Sequence, residues 1–360
     1  MRILFALAGL HRVQRGAEVA FLSIASELAS GGDSVTLIGS GPKLPDRPYN
    51  YIQARVIPRE RFERFPMLPM LRNESSWEEL TFAPGLLRHF RPGDFDVTLT
   101  CSFPFTNLLL RRRVPRAKRP AHIFVTQNGD WPAVARKSEY RLFDCDGLVC
   151  INPDYQERNK KTFRTALIPN GVDLERFHPE SEDRRNLSSS ARRPIVLMVS
   201  ALIESKNVAD GVRAVAQLAD VDLIVAGDGP LRNDIQDLAA KIMPGRYRQI
   251  SVSAEEMPSL YRSVDAFLHL SRDESFGNVY LEALATGLPI VTYDLPRTRW
   301  ILGDDAFYSN DSGDGLSVTL KEALSVPRNV SSCVERAQLY GWPAIARRYR
   351  SFFKEVLSST

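Results

Sequence analysis

The stretch AFLHLSRDESFGNVYLEALATGLPIVT, residues 266–292, is the most informative part of the sequence. It contains an apolar run at Ala266–Leu270, a segment with helical spacing at Phe276–Ala285 and a second apolar run at Pro289–Thr292. Short apolar runs on either side of a helix predict a βαβ unit, whose two strands are parallel and buried on both faces. This stretch therefore predicts an α/β protein with a parallel sheet.

The same alternation of strand and helix runs along the rest of the chain. The first half predicts a helix at Gly16–Ser30 and strands at Arg2–Ala8, Ser34–Ile38, Val97–Thr100, His122–Val125, Gly147–Ile151 and Thr165–Ile168. The second half adds strands at Ile195–Val199 and Val221–Ala226, and helices at Val208–Leu218, Leu231–Ile242 and Trp342–Leu357. The alternation predicts helices on both faces of mostly parallel sheets.

A length of 360 residues suits two domains rather than one. The polar, Ser-rich segment PESEDRRNLSSSARRP interrupts the alternation and has the composition of a linker. We predict Rossmann-like domains at 1–175 and 195–341, a linker at 176–194, and a helix at 342–357 that packs back on the first domain. Ligands are then expected in the cleft at the carboxyl ends of both sheets.

The composition is that of a soluble globular protein, with 44% hydrophobic and 25% charged residues. This excludes disorder as the main state. No apolar run approaches the ~18 residues that a membrane-spanning helix needs, and Ile3–Leu10 suits a buried first strand better than a signal peptide. Four irregularly spaced cysteines predict reduced thiols in a cytoplasmic protein rather than a disulfide framework or a zinc site.

The predicted helix at Phe276–Ala285 begins directly after a strand and a short loop. The first turn of a helix leaves backbone N–H groups without partners and carries about half a positive charge, and Gly277 lets a ligand approach that backbone. This predicts a site for a phosphate or diphosphate. Glu274 and Glu282 flank the site and would accept hydrogen bonds from hydroxyl groups, as a sugar and a ribose offer. A helix-capping acid and a solvated glutamate form the alternative.

Two further strand-to-helix turns carry candidate residues. Lys206 follows the strand at 195–199 and would pair with a diphosphate, although a solvent-exposed lysine is the simpler alternative. Gly227, Asp228 and Gly229 follow the next strand, where two glycines permit the backbone to approach a ligand closely or simply form a turn.

Taken together, these motifs resemble the retaining glycosyltransferases of family 4, which have the GT-B fold of two Rossmann-like βαβ domains facing across a cleft. The resemblance covers nearly the whole chain and is strongest at 169–291. The matching motifs are RGAE at 15–18, PNGVDLERFHP at 169–179, GDGP at 227–230, the E-x7-E pair Glu274 and Glu282, and LEALATGLPIV at 281–291.

The resemblance implies a role for each matching residue. Glu274 would contact the transferred sugar, Glu282 would contact the nucleotide ribose, and Lys206 would neutralise the diphosphate leaving group. Sugar hydroxyls or the distal phosphate would be held by the backbone N–H groups of Phe276, Gly277 and Asn278. The donor site would also include Gly227, Asp228, Gly229, Gly16 and Arg15, and the donor would be a UDP- or GDP-linked sugar. No metal is expected to be required.

The sequence departs from the family pattern at two places. The family often has an arginine five residues before the lysine, and this chain has Ala201 there, so Arg15 or another arginine would supply the second charge. The family also often has a histidine after the strand ending near Val125. Here Gln127 or Asn128 takes that place, and we expect these two residues, with Asp130 and Trp131, to contact acceptor or sugar.

The charge is unevenly distributed. Residues 1–175 carry 25 Lys and Arg against 19 Asp and Glu, a net of +6, whereas 176–360 carry a net of −2. Cations cluster at 111–119 and interleave with aromatic residues in the segment 58–82, which includes Phe65, Trp77 and Phe82. This pattern predicts contact with an acceptor and with an anionic membrane surface, against the alternative of a solvated helix end and loop. Nucleic-acid binding is disfavoured, since no recognised module accompanies the charge.

Asp94 and Asp96, and likewise Asp144 and Asp146, have D-x-D spacing but precede strand starts. They are therefore predicted to be surface caps rather than metal ligands.

The resemblance predicts a retaining, metal-independent glycosyltransferase that moves a sugar from a nucleotide diphosphate to a saccharide, a lipid-linked glycan or a natural-product hydroxyl, in polysaccharide biosynthesis. The predicted location is the cytoplasm or the inner face of its membrane. Another GT-B sugar-nucleotide enzyme and a non-catalytic nucleotide-sugar-binding protein are the alternatives. A nicotinamide dehydrogenase is disfavoured, because the segment at 8–16 lacks G-x-G-x-x-G spacing.

Overall fold

A computed structural model describes residues 1–112, 119–130, 138–179, 193–310, 315–327 and 329–358. The chain divides into two compact units, Met1–Asn170 with Trp342–Thr360 and Gly171–Gly341. The predicted boundary after residue 175 thus falls inside the second unit, and most of the predicted linker, 180–192, lies outside the described residues. The domain and linker bounds remain predictions.

The sheet of the first unit is parallel throughout its described part. Its strand order is β3-β2-β1-β4-β5-β6-β7. The strands are β1 (Arg2–Ala6), β2 (Ser34–Gly39), β3 (Asn50–Gln53), β4 (Val97–Thr100), β5 (Ala121–Val125), β6 (Gly147–Cys150) and β7 (Thr165–Leu167). The helices are α1 (Gly16–Ser30), α2 (Glu74–His89), α3 (Phe105–Arg112) and α4 (Pro153–Asn159).

The second unit repeats this plan with a parallel sheet in the order β10-β9-β8-β11-β12-β13. Its described strands are β8 (Ile195–Val199), β9 (Asp222–Ala226), β10 (Tyr247–Ile250), β11 (Ala266–His269), β12 (Ile290–Tyr293) and β13 (Phe307–Ser309). Its helices are α5 (Val208–Ala216), α6 (Arg232–Ile242), α7 (Met257–Arg262), α8 (Asn278–Ala285), α9 (Pro296–Leu302), α10 (Leu316–Ser325) and α11 (Val330–Gln338).

The last helix, α12 (Trp342–Leu357), packs within the first unit. Its Arg350 Nε donates to Asp33 Oδ2 at 2.8 Å, just beyond the end of α1. The ring of Phe352 lies so close to Gly147 that a Cβ there would stand 2.9 Å from it. Ion pairing at one point and apolar packing at another fix the helix against two elements of the unit.

The strand order reverses at the centre of each sheet, and ligands are expected at this point. In the first unit the reversal lies between β1 and β4, and in the second it lies between β8 and β11. Neighbouring strands at such a point send their connections to opposite faces of the sheet, which opens a crevice at their carboxyl ends. Residues that directly follow β8 and β11 are therefore placed to meet a ligand.

Candidate active site

The crevice of the second unit contains Lys206 and Glu274. Lys206 closes the 3₁₀ turn Glu204–Lys206 that follows β8, and Glu274 lies in the loop that follows β11. Asn207 adopts a left-handed conformation with φ of 50°, and its Nδ2 donates to the carbonyl of Leu270 at 2.9 Å. Asparagine tolerates this conformation, and its side chain ties the lysine turn to the end of the neighbouring strand.

The carboxylate of Glu274 has two nitrogen partners. Lys206 Nζ forms an ion pair with Glu274 Oε1, and His269 Nε2 lies 3.1 Å from the same oxygen. Lys206 Nζ also donates to Ser271 Oγ at 3.3 Å. The side chains of Lys206 and Glu274 are 16% and 21% exposed, so the pair is partly shielded from solvent and still accessible to a ligand.

Glu274 is held in its charged form. Burial raises the pKa of its carboxyl group, but the interactions with His269 and then with Lys206 outweigh burial and lower the pKa to about 2. A carboxylate of this kind accepts hydrogen bonds and donates none, which suits the recognition of hydroxyl groups.

The helix α8 begins beside Glu274, two residues later than predicted. Gly277 precedes it with φ of 89°, a left-handed value that interrupts the helical backbone, and a Cβ at this position would lie 2.8 Å from the ring of Tyr280. The ring of Phe276 is buried, 6.0 Å from that of Trp300. Phe276 is therefore anchored through its side chain, and the binding of a ligand by its backbone N–H remains a prediction.

Glu282 lies on α8, above Tyr261 of α7. Burial raises the pKa of Glu282, and the neighbouring Tyr261 hydroxyl and the charge of Arg176 offset this only in part. Arg176 belongs to the PNGVDLERFHP motif, and its Nη2 donates to the carbonyl of Ala254 at 2.6 Å. The motif thus brings a cation near the second acid of the E-x7-E pair.

The GDGP turn packs against the chain that follows β8. A Cβ on Gly227, whose φ is 152°, would lie 1.9 Å from the Ser200 carbonyl oxygen, and a Cβ on Gly229 would lie 2.5 Å from that of Leu202. Asp228 accepts from the backbone N–H of Gly229 at 2.8 Å and pairs with Arg232 at 3.1 Å. Close approach to this neighbouring loop explains both glycines without a ligand, so their role in donor binding remains a prediction.

The predicted acceptor residues belong to the first unit. Gln127 Nε2 donates to Asn170 Oδ1, and Asn128 Nδ2 lies 3.5 Å from the Cys101 carbonyl. Both residues occupy a 3₁₀ turn directly after β5, at the carboxyl end of the sheet.

Asp130 is buried and already engaged. Its carboxylate accepts from Arg158 Nε and from Asn159 Nδ2, both at 2.6 Å. These bonds give Asp130 a structural role in tying its loop to α4. Trp131 lies outside the described residues.

Arg15 and Gly16 lie at the start of α1, after the loop that follows β1, and both are exposed. They are thus placed at the strand-order reversal of the first unit, where an anionic ligand can reach them.

The basic stretch at 111–119 is partly engaged within the fold. Arg111 Nη1 pairs with Asp144 Oδ2 at 3.0 Å, and Arg119 Nη2 donates to Asp146 Oδ1 at 3.0 Å. Residues 113–118 lie outside the described part of the chain. Two of the predicted membrane-facing cations therefore have acidic partners in the protein.

Two of the four D-x-D aspartates accept hydrogen bonds from backbone N–H groups, but the side chain of Asp146 is only 5% exposed, so it is not the predicted surface cap. Asp96 accepts from the backbone N–H of Arg2 at 2.8 Å, and Asp146 accepts from that of His122 at 2.8 Å. Within the described ranges, no group of three His, Cys, Asp or Glu side chains is arranged to hold a metal ion.

His269 is the site residue that the motifs did not reveal. It lies at the end of β11, a strand with both faces buried, and its side chain is 2% exposed. A polar side chain in such a strand needs a hydrogen-bonding partner. That rule, applied to a histidine five residues before Glu274, is the signal that would have pointed to the contact.

Comparison with protein families covers both units. The model of Glycosyltransferase Family 4 matches residues 14–176, and the model of Glycosyl transferases group 1 matches residues 179–339. The chain belongs to the group 1, family 4 glycosyltransferases. The two models meet near the PNGVDLERFHP motif and leave few residues unmatched, so family membership rests on both halves of the chain.

Individual glycosyltransferases agree with the family. The chain is 30% identical over 216 residues to the lipopolysaccharide core biosynthesis glycosyltransferase LpsE of Rhizobium meliloti, a match covering 58% of this chain and 59% of the relative. Across three curated relatives, the aligned part spans 51 to 59% of the relative's length.

Solved structures establish the GT-B fold. Sucrose-phosphate synthase from Thermosynechococcus elongatus matches with a TM-score of 0.78 and 18% identity, over 100% of both chains. Anabaena HepE, solved in complex with UDP and glucose, matches with a TM-score of 0.69 and 15% identity, over 99% of this chain and 100% of that one. In the part of this family 4 chain that the structure describes, no helix is long and apolar enough to cross a membrane.

Proposed function

We propose that the protein is a retaining glycosyltransferase that uses a nucleotide-diphosphate sugar as donor. The observation that carries the proposal is the pairing of Lys206 with Glu274 beside the start of α8, at the strand-order reversal of the second sheet. Lys206 and the positive end of α8 match the diphosphate of such a donor. The Glu274 carboxylate, which accepts hydrogen bonds, matches the hydroxyl groups of its sugar.

The donor would rearrange the pair. Lys206 would exchange the Glu274 carboxylate for the diphosphate, where it would neutralise charge that develops on the leaving group. Glu274 would accept hydrogen bonds from hydroxyls of the transferred sugar, and Glu282 would accept them from the ribose. The backbone N–H groups of Phe276, Gly277 and Asn278 would hold the distal phosphate or sugar hydroxyls.

The transfer breaks the bond between the anomeric carbon and the diphosphate oxygen and forms a bond from that carbon to the acceptor oxygen on the same face. The departing phosphate oxygen takes the acceptor's proton, so the reaction needs no general base from the protein. This agrees with neutral Gln127 and Asn128 in the place where the family often has a histidine. We propose that transfer requires no metal, and that added EDTA leaves turnover unchanged.

We propose a saccharide or lipid-linked glycan as acceptor, in the synthesis of a surface polysaccharide or glycolipid. The similarity to a lipopolysaccharide core glycosyltransferase supports this class. The acceptor would meet the first unit at its 3₁₀ turn after β5 and at the loop before α2. A natural-product hydroxyl remains an outcome that acceptor screening would identify.

The loop before α2 suits a membrane-bound acceptor. Phe65 and Met67 are 49% and 81% exposed, and Leu68 pairs with Leu71 through reciprocal backbone hydrogen bonds of 3.0 and 2.9 Å. The exposed Arg61 and Arg64 flank these apolar residues. We call residues 57–72 the basic-aromatic loop. Its tip presents apolar side chains next to cations, the combination that binds an anionic lipid surface.

Two residues of the predicted segment do not take part in this surface. Phe82 is fully buried in the core of the first unit, so the expectation that it lies near the acceptor is wrong. Arg59 is engaged by Glu78, with Nη2 2.7 Å from Oε2. Phe82 lies where α2 packs on the sheet, and Arg59 lies in the 3₁₀ turn Arg59–Phe62 before that helix. The exposed apolar surface is therefore at Phe65, Met67 and Leu68.

Replacing Phe65, Met67 and Leu68 together by serine is expected to lower binding to phosphatidylglycerol-containing vesicles at least about tenfold, because each buried apolar side chain contributes on the order of 1 kcal/mol or more. Co-sedimentation at low salt measures this. Val318→Ser is the control, since Val318 is an isolated exposed residue on α10. If wild-type protein stays in the supernatant with these vesicles, the membrane proposal fails.

The donor proposal is tested with a panel of UDP-, GDP- and dTDP-sugars, by measuring nucleotide release in the presence of glycan acceptors. We expect one nucleotide class to be turned over and the product to retain the anomeric configuration. A thermal shift with a nucleotide sugar but no turnover with any acceptor would instead indicate a non-catalytic binding protein. Inversion at the anomeric carbon, read by NMR of the product, would contradict the retaining mechanism.

A further inference from the structure

His269 provides Glu274 with a partner that a ligand cannot reach. Its side chain is 2% exposed, whereas that of Lys206 is 16% exposed, and both contact the same carboxylate oxygen. Because a carboxylate accepts hydrogen bonds and donates none, the hydrogen of this contact is on His269 Nε2. The nitrogen lies 3.1 Å from Glu274 Oε1.

The imidazole ring is held in place by its neighbours. The ring of Tyr280 meets it edge-on at 5.0 Å, and the ring of Phe267 lies parallel to it at 6.1 Å. Tyr280 is itself fixed, because its hydroxyl is 2.8 Å from Thr292 Oγ1 on β12. His269 Nε2 therefore keeps its position when the exposed Lys206 moves.

The two partners of Glu274 differ in whether they can move to the bound sugar donor. Lys206 is long, flexible and accessible, and the proposed function moves it to the donor diphosphate. That move would leave a partly buried carboxylate short of a partner, which is costly unless a second donor remains. His269 is buried beneath the loop and has no route to the donor.

We propose that His269 is a positioning residue that keeps Glu274 aimed at the transferred sugar while Lys206 binds the diphosphate. This rests on the proposed function of the site. His269 acts through Glu274 and touches neither donor nor acceptor. Its loss should therefore lower the rate of transfer while leaving the affinity for the nucleotide diphosphate largely unchanged.

The test compares two substitutions at the same buried position. His269→Leu fills the space but donates no hydrogen bond, and it is expected to lower kcat about 10- to 100-fold with KM for the donor within about threefold of wild type. His269→Gln restores a side-chain N–H near the position of Nε2 and is expected to recover most of the lost kcat. Thermal unfolding of each variant establishes that the protein is folded.

His122 offers a matched control. It is a fully buried histidine on a central strand of the first sheet, with Nδ1 2.9 Å from Thr98 Oγ1 and Nε2 3.1 Å from Asn107 Nδ2. His122→Gln changes a buried histidine outside the donor site and should leave kcat close to wild type. If His269→Leu keeps wild-type kcat, or if His269→Gln is no better than His269→Leu, the proposal is overturned.

A second measurement separates this proposal from the proposed function. In ¹⁵N-histidine NMR spectra, the His269 Nε2–H signal should shift in Glu274→Ala and should persist when UDP or GDP saturates the wild-type protein. This holds even if no transfer activity is found. Loss of the hydrogen-bonded signal on nucleotide binding would mean that Glu274 leaves His269 together with Lys206, and the positioning role would be wrong.

Discussion

Glu274→Ala is expected to lower the turnover number at least about 10²-fold, because removal of a single preorganised partner of the transition state typically costs that much. The carboxylate is charged at neutral pH, since the interactions with His269 and Lys206 outweigh burial and lower its pKa to about 2. Nucleotide release under saturating donor and acceptor measures the effect. Glu274→Gln keeps the shape of the side chain without its charge and should lower the turnover number nearly as much.

The matched control for this substitution is Glu322→Ala. Glu322 is an exposed acid on α10, so the same change in charge and side-chain length is made on the surface. The control should retain wild-type turnover. If Glu274→Ala also turns over at the wild-type rate while remaining folded, Glu274 has no part in transfer, and the assignment of the site is refuted.

Lys206→Ala is expected to weaken binding of the nucleoside diphosphate about 10- to 100-fold, which corresponds to a charge-assisted hydrogen bond of about 1.5–3 kcal/mol. The effect should be confined to the phosphates. Binding of the corresponding nucleoside, measured by the same calorimetric titration, should change less than about twofold. Lys206→Arg keeps the positive charge and should recover part of the affinity.

Lys241→Ala controls for the loss of a lysine elsewhere in the second unit, because Lys241 is exposed in the last turn of α6. It should bind the diphosphate as wild type does. Equal losses for nucleoside and nucleoside diphosphate in Lys206→Ala would show that Lys206 acts on the shape of the site rather than on the phosphates.

The sequence predicts the centre of each sheet better than its edges. The strands at 97–100 and 195–199 have the predicted bounds, because central parallel strands are buried on both faces and read as continuous apolar runs. The strands β3, β10 and β13 were not predicted, and all three lie at sheet edges, whereas the edge strand β7 was predicted at 165–168. Exposed or half-exposed residues interrupt the apolar run in these three strands, so their sequences lack the continuous apolar pattern of a buried strand.

The site shows the same division between local and long-range information. Lys206, Glu274 and Gly277 were found from the sequence because each lies at a turn next to a recognisable strand or helix. The contact between Glu274 and His269 was not predicted, because it depends on how the loop folds back over the strand that precedes it. Similarly, the bonds of Asp130 to Arg158 and Asn159 join segments 28 and 29 residues apart.

The return of α12 to the first unit means that the second unit is inserted in sequence within the first. A gene fragment ending at codon 170 would encode the seven strands that the structure describes in the first unit but would lack α12, which contacts Asp33 and Gly147 in the intact chain. The first unit is therefore better produced by joining residue 170 to residue 342 through a short spacer, or by co-expressing the last helix as a separate peptide. The second unit, by contrast, is continuous along the gene.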